Sequence, residues 1–194
     1  MQGSQKIELR PVLPKDLDLI CRHRKAMFAE AGRDAAEIAA MNSAFRDWLK
    51  PRLEDGRYFG FIAEHDGRSV GGVGLMLIEW PPHPSHPSDD HRGYVLNVFV
   101  DPEQRGRGIA GLLMDAADRE FRQRGITYAI LHTTKAGRPL YERTGWAQTS
   151  EMAKAIQPVA GWTGKRPDRT GRGSEAVCEE HDGCSARRGI RKVR

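Results

Sequence analysis

The chain has 194 residues, 39% hydrophobic and 29% charged, which suits one domain with a core, and no apolar run approaches the roughly 18 residues of a membrane span. Its net charge of +5 is unevenly placed: residues 157–194 hold 9 Lys/Arg against 5 Asp/Glu, and the rest holds 22 against 21, so the near-neutral body argues against a nucleic-acid partner. Three cysteines (Cys21, Cys178 and Cys184) are too few for a disulfide framework, and the polar N-terminus is no signal peptide, so a cytoplasmic setting is expected.

Ile7 to Leu13 alternates apolar and polar residues and reads as a strand. Pro14 and Asp16 open a helix that runs to about Ala31 and stops at Gly32. A second helix spans about Asp34 to Leu53, with Pro51 in its last turn. Tyr58 to Glu64 and Ser69 to Trp80 are strands, and Asp66-Gly67 between them signals a hairpin turn. Trp80 to Asp90 is a proline-rich loop of the kind that contacts ligands, and Gly93 to Val100 is the most strand-like run. After the break at Asp101-Pro102, Ile109 to Gln123 is an amphipathic helix stopped near Gly125. Ile126 to Thr133 reads as a strand, Arg138 to Thr144 as a short helix, and Trp146 to Ile156 as a last strand or hairpin. Antiparallel strands come first and βαβ-like units second, which predicts an α/β domain with a mixed, mainly antiparallel sheet flanked by helices over residues 1–156.

Residues 157–194 are rich in Gly, Arg and Ser and nearly free of periodic apolar positions, so a basic, disordered tail is expected. Within it, Cys178-x-x-His181-x-x-Cys184 has metal-type ligands but no standard zinc spacing and no second pair, and reads as free thiols.

The densest chemical signal is Gln104-Arg105-Gly106-Arg107-Gly108-Ile109-Ala110, between a strand and a helix. Two glycines let backbone amides converge, and the helix adds its positive end, which together suit a pyrophosphate, with Arg105 and Arg107 at the rim. Gly106-x-Gly108-x-x-Gly111 fits the dinucleotide fingerprint in spacing alone. No acidic residue ends the next strand, which closes on Leu131-His132-Thr133-Thr134. No Gly-Lys-Ser/Thr is present, so a nucleoside triphosphate loop is excluded as well.

Q-R-G-R-G-I-A after an apolar strand resembles the acetyl-CoA loop of the GNAT N-acetyltransferases, and Leu140-Tyr141-Glu142-Arg143-Thr144-Gly145-Trp146 resembles a second motif of that family. The likeness covers about Ile7 to Ile156. It implies an enzyme that moves an acetyl group from acetyl-CoA to an amine by direct attack on the thioester. The amides of Arg105 to Ala110 would hold the pyrophosphate, the Val98, Phe99 and Val100 edge would pair with the pantetheine arm, and Tyr141 would hydrogen-bond the departing sulfur. A non-catalytic acyl-CoA binding module is the alternative.

Acceptor chemistry is less defined. Glu79, at a strand end beside the proline-rich loop, is the first candidate base, with a plain exposed carboxylate as the other reading. Asn97, polar within an apolar strand, signals an acceptor contact or a locally satisfied bulge. Arg22, His23 and Arg24 lie on the first helix, which the resemblance implies can wall the acceptor site, but a charge run on a helix reads first as a solvated face. The acceptor amine stays open, as does the choice between monomer and homodimer.

Overall fold

The computed structural model describes residues 6–84, 86–149 and 151–154. Met1–Thr149 makes one compact unit and Ser150–Arg194 a second. Of the second unit, residues 151–154 are described; they are exposed and carry no regular structure. The tail expected from residue 157 and its Cys-His-Cys run lie outside the described residues.

The first unit runs β1 (Glu8–Pro11), α1 (Leu17–Glu30), α2 (Ala35–Glu54), β2 (Phe59–His65), β3 (Arg68–Glu79), β4 (His91–Val100), α3 (Ile109–Gln123), β5 (Ala129–Leu131) and α4 (Arg138–Arg143). The five strands stand in sequence order, β1 to β4 antiparallel and β5 parallel to β4. This is the mixed, mainly antiparallel sheet expected.

Local chemistry accounts for the boundaries. Asp34 caps α2 by accepting hydrogen bonds from the Ala36 and Glu37 amides. Asp66 and Gly67 sit at φ 53° and 71°, the paired left-handed geometry that closes a tight hairpin between β2 and β3. Pro51 lies within α2, whose last turn continues past it to Glu54. Arg10 ties β1 to the start of α1, bridging Asp16 and Glu64 at 2.7 Å each. Burial opposes the charge on Asp16, but hydrogen bonds from Arg10 and the Leu13 amide outweigh it and hold the carboxyl below its usual range.

Successive strand residues feed two separate cores, as pleating requires. Leu75, Val95, Ile109, Leu113 and Phe121 belong to the core under α3, whereas Leu96 and Met76 join Ile20, Phe45 and Leu49 under α1 and α2. No helix among the described residues is long and apolar enough to cross a membrane.

Two expectations are corrected. The strand read over Ile126 to Thr133 is reduced to Ala129–Leu131, because its pairing with β4 ends at Val95–Leu131. Past that point β4 bends at a bulge and offers no ladder. The strand read over Trp146 to Ile156 is not found among residues 146–149 and 151–154, where Met152 is 99% exposed. Ala, Gln, Glu and Lys dominate that segment, and they are poor at covering a pleated surface.

The proline-rich loop is irregular except for a bridge between His83 and His86. It is anchored by stacking: His86 is buried with its ring 4.6 Å from Tyr128, and the Arg92 guanidinium lies 4.1 Å over Trp80. The loop thus sits at the His91 end of β4, opposite Val100.

Candidate active site

β4 organises the site. Gly72 pairs with Phe99 and Gly74 with Leu96, so Asn97 and Val98 together oppose Val73, two residues against one. Asn97 takes φ 54°, a left-handed conformation that its short polar side chain tolerates. Its amide group is engaged at both ends: Nδ2 donates to the Tyr58 hydroxyl at 3.0 Å, and Oδ1 accepts from Arg24 Nη1 at 2.6 Å. Of the two sequence readings of Asn97 the structure shows the bulge, with a side chain satisfied by groups from α1 and from the residue before β2.

Glycines in β3 make room for this arrangement. A Cβ at Gly74 would stand 2.0 Å from the Tyr58 hydroxyl, and one at Gly72 would press on Ile62, the Phe61 carbonyl and His23. His23 is 7% exposed and stacks on Phe99 with centroids 4.5 Å apart. Burial and the charge of Arg22 lower its pKa from 6.5 to about 4, so the imidazole is neutral at pH 7. The solvated face expected for residues 22–24 holds for Arg22 alone; His23 is buried and Arg24 half-buried.

Beyond Val95, β4 and β5 part. Among the described residues Leu96 to Val100 then has no strand partner on the β5 side, although β3 pairs with its other edge. An open edge of this kind can take an extended ligand as an added strand. The fork leads directly into the Gly106 and Gly108 turn, at φ 76° and 78°. Gly108 is the N-cap of α3, with no side-chain cap and no acidic residue in the first turn. The first amides of α3 are thus left to a ligand, and the positive helix end is not neutralised locally. The arginines flanking the turn are held elsewhere in part. Arg105 donates to both carboxylate oxygens of Glu30 on α1 and to the Val100 carbonyl, and Arg107 donates to Gln104.

α4 brings Tyr141 against the α3 core, with its ring edge-on to Trp146 at 6.5 Å. Its hydroxyl makes no hydrogen bond among the described residues, and burial raises its pKa, which keeps the phenol protonated. Gly137 permits the close approach, since a Cβ there would meet Thr133 Oγ1 at 2.7 Å.

Glu79 is not brought to the bulge. It is exposed and pairs with His91 at the far end of β3, about 17 Å from Gly74 at the usual rise of roughly 3.4 Å per residue. His132 instead stands one residue past the last β4–β5 pair, edge-on to Tyr94 at 5.9 Å. Sequence reasoning set Arg24 aside within its charge run and passed over Tyr58 and His132, which only the tertiary contacts bring to Asn97 and Tyr94.

Residues 19–146 match the model of the acetyltransferase (GNAT) family. The chain belongs to the GNAT acetyltransferase family. A crystal structure of a GCN5-related N-acetyltransferase from Ralstonia eutropha JMP134 is 58% identical, with TM-score 0.76, covering 78% of this chain and 99% of that one. A predicted acetyltransferase with acetyl-CoA from Clostridium acetobutylicum shares the fold at 24% identity and TM-score 0.71, covering 78% and 96% of the two chains. Among curated relatives, an N-acetyltransferase of Bacillus subtilis is 31% identical over 59% of this chain and 85% of its own length. A mycothiol acetyltransferase of Nocardiopsis dassonvillei is 24% identical over 81% of this chain, which spans only 44% of that protein. The Clostridium acetobutylicum structure holds acetyl-CoA, and the GNAT protein described here is an acetyltransferase. Its uncapped α3 terminus and open β4 edge fit that ligand's pyrophosphate and pantetheine arm.

Proposed function

We propose that the protein acetylates an amine by direct attack on acetyl-CoA in the β4–β5 fork, with Tyr141 assisting the leaving thiolate. The observation that carries this reading is the continuity of the unpaired Leu96–Val100 edge with the uncapped start of α3. Pantetheine along Val98, Phe99 and Val100, and pyrophosphate on the amides from Arg105 to Ala110, would place the thioester near the bulge.

The neutral amine attacks the carbonyl carbon, and collapse of the tetrahedral adduct breaks the C–S bond. The thiolate leaves as a hydrogen bond from Tyr141 strengthens, and the surplus amine proton passes to His132 or to water. The products are the N-acetyl amine and the free thiol of coenzyme A. A phenol raised by burial is a poorer acid than the thiol it would protonate, so Tyr141 acts by hydrogen bonding rather than by full transfer. Glu79, exposed at the far end of β3, is given no part in the proton step. The cytoplasmic setting inferred from the sparse cysteines belongs to the same proposal.

A free-thiol assay with acetyl-CoA and a panel of amines tests it. Amine-dependent release of coenzyme A is expected. Acetyl-CoA binding with no release for any amine would favour a binding module instead.

A further inference from the structure

Arg24 differs from the arginines that carboxylates hold. Arg10 has Asp16 and Glu64, Arg105 has Glu30, and Arg124 has Glu120. Arg24 has no carboxylate among the described residues. Its Nε meets the Met41 sulfur at 3.3 Å, Nη1 donates to Asn97, and Nη2 has no hydrogen-bond partner among the described residues. The guanidinium lies 4.4 Å from the Phe45 ring centre and 4.9 Å from that of Phe28. Burial pulls its pKa below the usual arginine value, and the groups that act on its charge are Tyr58, Tyr94 and Cys21, none of them a carboxylate.

A half-buried cation with no counter-ion costs stability that apolar stacking offsets only in part. Such an arrangement is explained when the missing anion arrives with a ligand. The location agrees: Asn97, which Arg24 holds, directly precedes the strand edge assigned to the thioester arm. A cavity of about 170 Å³ lined by Phe28, Arg33, Glu37, Ile38 and Met41 adjoins the same guanidinium through Phe28 and Met41, leaving room for the rest of a small molecule.

We propose that the acceptor is an amine that also carries a carboxylate, and that Arg24 is the residue that recognises it. One guanidinium with free donors on Nη2 balances one negative charge and matches the planar carboxylate. The proposal rests on the transfer reading above, which places the acceptor at the bulge.

Two arms test it. In the first, glycine, leucine, phenylalanine and 4-aminobutyrate are compared with their amides as acceptors. At least one acid is expected to exceed its amide by about tenfold or more in kcat/KM. Arg24→Gln is expected to bring that acid down to its amide, with the KM for acetyl-CoA within twofold, and Arg24→Lys to recover part of the difference. In the second arm, the N-acetyl derivatives of the same pairs are titrated into the protein saturated with coenzyme A, and thermal stabilisation is read. This arm needs no turnover, so a failure of acetyl transfer leaves Arg24 still on trial. Equal effects of acids and amides on the wild-type protein in either arm, or a preference that survives in Arg24→Gln, overturns the proposal.

Discussion

The two faces of the sheet are built to different rules. The face under α3 is apolar throughout, from Leu75 and Val95 to Leu113 and Phe121, and it ends in the Gly106–Gly108 turn. The face under α1 and α2 mixes Ile20, Phe45 and Leu49 with His23, Arg24, Asn97 and the Tyr58 hydroxyl. A rigid apolar layer suits a cofactor cradle made of backbone, because amides need only be held in place. Polar groups kept out of water are costly and are found where selectivity is exercised. On the proposed reading, cofactor and acceptor are handled by opposite sides of one strand.

The sharpest way to break this division is at the cradle. Gly108→Val forces a β-branched residue into φ 78°, where the N-cap of α3 must stay left-handed. No protein atom lies within 4 Å of the added Cβ, so strain, not crowding, is what the variant introduces. Acetyl-CoA affinity is expected to fall about 1,000-fold, roughly 4 kcal/mol, in a folded protein. Calorimetric titration with circular dichroism checks both parts, and wild-type affinity would remove the turn from the cofactor site.

On the opposite face, His23 gives a pH signature. Unfolded, it takes up a proton below about 6.5; folded, only below about 4. The unfolded state therefore binds more protons in that window, and stability falls as pH falls, by about 3 kcal/mol once pH 4 is reached. Urea unfolding between pH 7 and pH 4 should show this slope, and His23→Gln should flatten it. An unchanged slope would mean that His23 is solvated and that this face is less dry than its packing implies.

The difference in legibility runs along the same line. α3 was readable to the residue, because Ile109, Leu113, Ala116, Ala117 and Phe121 recur at helical spacing and Gly125 ends the pattern. The cradle was readable for a similar reason: all its parts lie within seven consecutive residues. The acceptor face was not. Arg24 meets Asn97 across 73 positions, and a charged stretch on a helix looks the same whether one of its members turns inward or not. β5 and, among the described residues, the strand read from Trp146 were overread, because apolar content alone does not say whether a neighbouring edge is present to pair with.

A middle-sized effect is expected at Tyr141, the one proposed catalytic group on the α3 side. Tyr141→Phe keeps the contact with Trp146 and loses only the hydroxyl. Turnover should fall about 100-fold with acetyl-CoA affinity unchanged, since the lost hydrogen bond strengthens as charge develops on sulfur. Steady-state rates beside calorimetry decide it; full turnover would make the tyrosine purely structural.

The smallest expected effect lies where the two sides touch. Glu30 on α1 holds Arg105, and both are well exposed, at 43% and 50% of their side-chain area. Glu30→Gln should leave the melting temperature nearly unchanged and tighten acetyl-CoA binding by no more than about threefold as the guanidinium is released toward the phosphates. Weaker binding would show that Glu30 positions the loop.

The bulge at Asn97 is also a phase slip. Upstream of it, odd-numbered Val95 faces α3 and even-numbered Leu96 faces the other side; downstream, Val98 and Val100 face α3 while Phe99 meets His23. One extra residue has exchanged odd for even. Straightening the bulge with every residue kept would restore a uniform alternation that looks tidier on paper, yet it would send Phe99 and Val100 each to the wrong side. In this strand the irregular count is what keeps each address correct.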